Sequence, residues 1–142
     1  MGSLEHLAGT ELPAGSFTIT PEEHGRLIAG LGGTTFEDAH PVWAYIATQR
    51  GIGISVAGLC ALAEFDVDDG PMLGSVALTY DGPIEVGVEY RVTGEIVGIE
   101  RKQGRKAGVF DVLTFRERLL APGGAEVASA TNTFILPRRA AT

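Results

Sequence analysis

Cysteine and positive charge are what this chain has least of. A single cysteine, Cys60, excludes an intrachain disulfide and fits a reducing, intracellular setting. Set in an apolar run with no neighbour to depress its pKa, it reads as a small core residue. Eleven Lys and Arg against 18 Asp and Glu leave a net charge of −7, which argues against a general nucleic-acid or anionic-membrane surface. Any anion site must therefore be local. The leading segment MGSLEHLAGTELPAG is interrupted by Glu5, His6 and Glu11 and has no apolar stretch of signal-peptide length, so the expectation is a cytoplasmic protein. The run Pro41 to Ala63 is long enough to suggest a membrane span, but Thr48, Gln49 and Arg50 sit at its centre, where an arginine is costly, and a span is rejected. No metal site is read.

What the chain does have is one long apolar axis. With 142 residues, 44% of them hydrophobic and 20% charged, it has the size and composition of a single domain, 1–142, able to bury one core. Residues 1–14, a leader, and 138–142, a tail, are expected to be less ordered. From His40 to Phe65 the sequence HPVWAYIATQRGIGISVAGLCALAEF carries one charge between Pro41 and Ala63, namely Arg50. Gly51 and Gly53 predict a break, so two helical pieces are expected rather than one. The small residues along it, Ala44, Ala47, Gly51, Ser55, Ala57, Gly58 and Ala61, suit close approach by other backbone.

Before this axis, Ser16 to Thr20 alternates as a short strand. Thr20-Pro21-Glu22-Glu23 then forms a capping box with proline at the first helical position, predicting a helix to Leu31. After it the hydrophobic period changes to two. Strands are predicted over Leu73 to Tyr80, Val86 to Ile99 with a bulge near Gly94 to Val97, Gly108 to Leu120, and Ala125 to Leu136. Strands of that length coil strongly, and the only element apolar enough to coil around is His40 to Phe65. The predicted class is therefore α+β, an antiparallel sheet curled around a long central helix.

This order of elements resembles the hot-dog fold, and several motifs resemble the MaoC-like enoyl-thioester hydratase and dehydratase family: the leader LAGTELPAGSFTITPEE, the helix opening at His40-Pro41, the segment GSVALTYDGPIEVGVEYRVTGEI and the final TNTFILPRR. The resemblance covers nearly the whole chain. It implies 2-enoyl or 3-hydroxyacyl thioesters as substrates, with coenzyme A or phosphopantetheine present only as part of the substrate and no further cofactor. It also implies a homodimer, or a heterodimer with a second hot-dog subunit, and no nucleic-acid or membrane partner.

Family members carry an Asp and a His on a loop reading Asp, any residue, Asn, Pro, an aliphatic residue, His; two proton-handling groups are what addition or removal of water requires. Laid on this chain without gaps, the motif falls on Asp38-Ala39-His40-Pro41-Val42-Trp43 and puts histidine at the Asn and tryptophan at the His. Aligned instead on the helix opening, the loop is missing altogether. Asp38 and His40 are the candidate catalytic pair, two residues apart on one side of an extended segment; equally, they can cap the helix. Trp43 and Tyr45 on its first turn are candidates to line an acyl tunnel, or are core. Arg101, Lys102, Arg105 and Lys106 form the candidate site for coenzyme A phosphates, or a solvated hairpin tip. Asp111 and Asn132 are read as inward hydrogen-bonding groups on strands.

Three functional readings follow: a hydratase or dehydratase with an atypical site, or one half of a heteromeric one; a catalytically silent substrate-binding partner; and a thioesterase or polyketide-type cyclase on the same scaffold.

Overall fold

The computed structural model describes residues 4–30, 43–105 and 108–138. Along them run β1 (Glu11–Thr18), α1 (Pro21–Gly30), α2 (Trp43–Gly51), α3 (Val56–Leu62), β2 (Met72–Tyr80), β3 (Glu89–Gly104), β4 (Gly108–Leu120) and β5 (Glu126–Arg138), with 3-10 turns at Leu4–Leu7 and Val67–Asp69. The strands form one antiparallel sheet in the order β1-β3-β4-β5-β2, curled over α2. This is the predicted α+β hot-dog arrangement. No helix among the described residues is long and apolar enough to cross a membrane.

The apolar axis is divided where its glycines predict. Gly51 ends α2, and Gly53 lies against β1, its N–H donating to Pro13 O at 2.9 Å. A Cβ on Gly15 would lie 1.9 Å from Gly51 O, and one on Gly53 would lie 2.5 Å from Ala14 O. These glycines are therefore required for backbone to meet backbone. Thr20 caps the helix as read, Glu23 N–H donating to Thr20 Oγ1 at 3.1 Å, while the Glu23 side chain reaches back to the Thr20 hydroxyl, which donates to Oε1 at 3.2 Å. The bulge in β3 falls at Val97, where the register with β4 shifts between Ile96 and Gly98.

The described residues near each end are tied into the sheet. β1 begins at Glu11, and Leu7 and Leu12 are buried. Gly9 N–H donates to Ile96 O at 2.7 Å, and Ile96 N–H to Thr10 O at 2.8 Å. Pro13 concealed this strand in the sequence, but an edge strand tolerates a proline. At the other end Arg138, assigned to the tail, is the last residue of β5 and part of a buried network.

That network centres on Asp111, which is buried on the inner side of β4. Arg101 grips it with a fork, Nε to Oδ1 at 2.8 Å and Nη2 to Oδ2 at 3.0 Å. Arg138 Nε donates to Oδ2 at 2.8 Å, Nη1 to Glu64 O at 2.6 Å, and Nη2 to Ala63 O. The last two bonds satisfy carbonyls at the end of α3, where a cation also suits the helix dipole. Burial alone would raise the Asp111 pKa, but the two guanidiniums, by hydrogen bond and by charge, hold it below the ordinary carboxylate range. Removing one cation leaves a buried carboxylate short of partners. Arg138→Ala is accordingly expected to cost about 3 kcal/mol in urea-induced unfolding, and Arg138→Lys to recover little because an ammonium cannot reach Asp111 and both α3 carbonyls with the planar guanidinium's geometry.

Candidate functional site

The inner face of β4 carries Asp111, Leu113, Phe115, Glu117 and Leu119 in alternation. Two of the five are carboxylates, and their surroundings differ completely. Glu117 is only 1% exposed and forms no ion pair among the described residues. Its partners are amides. Gln49 Nε2, from α2, donates to Glu117 Oε1 at 2.9 Å, and Asn132 Nδ2, from β5, reaches the same oxygen at 3.4 Å. The Asn132 amide nitrogen also lies 3.4 Å from Ala130 O. Its other end, Oδ1, is buried and has no hydrogen-bond partner among the described residues.

Burial pushes the Glu117 carboxyl up to about 8, with the Asn132 hydrogen bond pulling the other way. At neutral pH it is a carboxylic acid, able to donate as well as accept. The trio Gln49, Glu117 and Asn132 separates two apolar clusters. One, beneath α3, includes Leu59, Phe115 and Phe134; the other, beneath α2, includes Ala44, Ala47, Leu119 and Ala128. A polar seam thus crosses the core, and its outermost member, Gln49, is half-buried. Perturbed acids in such positions are a recurrent sign of function.

The structure sorts the residues singled out in the sequence. Asp38, His40 and Lys106 lie outside the described residues. Trp43 is buried in the cluster beneath α2, 6.0 Å from the Phe17 ring, and its Nε1 has no hydrogen-bond partner among the described residues. Tyr45 is half-buried and lies one turn before Gln49, on the same side of α2. Arg101 is engaged by Asp111, while Lys102 and Arg105 are exposed near the β3–β4 hairpin tip. Val92, in the Trp43 cluster, precedes Lys102 by ten residues of strand, about 33 Å. Within one chain the basic tip and the start of α2 are therefore not brought together. Asp111 and Asn132 do face inward, as read. Glu117 was missed; the signal available was a glutamate in the apolar phase of an alternating strand.

No family model and no curated protein matches the sequence. Solved structures do match over nearly its full length. The C-terminally truncated HadBC (3R-hydroxyacyl-ACP dehydratase) complex of Mycobacterium tuberculosis is similar at a TM-score of 0.67 and 14% identity, covering 91% of this chain and 96% of that one. The ChsH1–ChsH2 complex of the same organism gives 0.70 at 11% identity, covering 98% and 89%. The MaoC-like dehydratase of Rhodospirillum rubrum gives 0.56 at 13% identity, covering 94% of each. These likenesses establish the hot-dog fold, in the company the sequence motifs suggested.

The buried acid sets a pH dependence. Between pH 4.5 and about 8 the folded state keeps the Glu117 proton that the unfolded chain has already released. Stability is therefore expected to be highest at the acid end of that window and to fall as pH rises through it. Glu117→Gln should flatten this part of the profile, measured as urea unfolding free energy against pH.

Proposed function

We propose that the chain is an acyl-thioester-binding hot-dog subunit of a hydratase or dehydratase acting on 2-enoyl or 3-hydroxyacyl thioesters, completed by a second hot-dog chain along β2. The observation that carries this reading is the state of the two sheet edges. β1 is blunted by Pro13, by a register shift between Leu12 and Gly15, and by the helix break laid against it. β2, MLGSVALTY, has no charge and no proline and is paired only by β5. Met72 and Leu73 are each 52% exposed and Tyr80 is 45% exposed. Edges of this kind invite strand pairing, and natural sheets otherwise protect them. A two-fold antiparallel β2–β2 contact, or the same contact with a related chain, would extend the sheet.

The altered loop, Asp38-Ala39-His40-Pro41-Val42-Trp43, favours a division of labour in which this chain holds the acyl group and the partner supplies the Asp and His. That two similar structures are complexes, HadBC and ChsH1–ChsH2, supports the same reading. Coenzyme A or phosphopantetheine arrives as part of the substrate. Lys102 and Arg105 are the exposed cations that would meet its phosphates.

Two measurements test this. In sedimentation velocity the chain should run as a dimer, alone or with its partner. Ala77→Lys, which sets like charges across the exposed edge, should dissociate it. With an enoyl-CoA the chain alone should show no hydration. Turnover by the chain alone, abolished by Asp38→Ala or His40→Ala, would overturn the silent assignment and make it a self-sufficient enzyme.

A further inference from the structure

The polar seam has the properties of a recognition site. Asn132 Oδ1 is a fully buried acceptor that no group among the described residues satisfies, and an unmet buried acceptor is costly unless something donates to it. Glu117, on the neighbouring strand, adds a carboxyl held by amides and by no cation. One group that meets both is an alcohol: its O–H donates to Asn132 Oδ1, and its oxygen accepts from the acid.

The surroundings narrow the choice further. On β4 the seam lies between Phe115 of one apolar cluster and Leu119 of the other, so a group bound there has hydrocarbon walls on both sides. Val76 of β2 stands directly opposite Asn132, and Gln49 at the seam's rim is half-buried. We infer that the Gln49–Glu117–Asn132 seam binds a hydroxyl in the middle of an aliphatic chain, so that the acyl groups this chain holds are hydroxylated away from the thioester end. That substrate class rests on the acyl-thioester reading above; the seam as an alcohol site does not.

The test uses three probes in isothermal titration against the purified full chain: decanoyl-CoA, 6-hydroxydecanoyl-CoA and 5-decanol. The hydroxylated thioester should bind about tenfold more tightly than the plain one, the range expected when a ligand hydrogen bond relieves a buried unmet group. Asn132→Leu and Glu117→Leu should abolish that preference, with thermal melts confirming the fold. The wild-type comparison decides even if a variant fails to fold. Equal binding of the two thioesters would overturn the hydroxyl site and leave the thioester reading standing. Binding of 5-decanol alone, lost in the variants, would uphold the seam and remove the thioester reading. Binding of none of the three would overturn both.

Discussion

The close contact between β1 and the break in the helical axis sets the position of everything else. Gly15, Gly51 and Gly53 allow strand and helix break to touch through their backbones, and the Gly53 N–H to Pro13 carbonyl bond locks the contact. Any side chain at these glycines would force the layers apart. Because α2 ends at this point, its preceding turns are aimed across the sheet, and Gln49 comes to rest over Glu117. The polar seam therefore depends on a contact made at the opposite side of the helix, where there is no functional chemistry at all.

β4 shows two answers to the same problem, a carboxylate on the buried face of a strand. Asp111 stays ionised because two guanidiniums surround it, and the result ties β3, β5 and the end of α3 together. Glu117 has only amides for company and stays neutral. The first arrangement spends its charge on architecture. The second leaves a proton and an unmet acceptor inside the core, and stability alone does not explain it, because well-packed apolar residues would serve as well or better.

Much of the architecture was legible in the sequence because it rests on local signals. The capping box at Thr20, the glycine break after Gln49 and Arg50, the bulge at Val97 and the long alternating strands are each written within a few residues. β1 was only partly legible, since Pro13 and Gly15 interrupt its alternation and only its tertiary contact explains them. The site was harder to read. Arg101 looks like one of four clustered cations until its partner, Asp111, is placed opposite it across the hairpin. Glu117 gains its meaning from Gln49, which is 68 residues away in sequence. Side chains whose partners are that distant leave no pattern in a single sequence beyond a charge in an apolar phase.

The grip of Arg138 on α3 also bears on how the chain assembles. α3 is a seven-residue helix, too short to persist in water by itself, and the cation that closes its end lies 74 residues downstream of Glu64. That closing bond can form only once the last strand has docked. The apolar segment Val56 to Leu62 is thus sealed at its end by a residue made only when the fifth strand is complete.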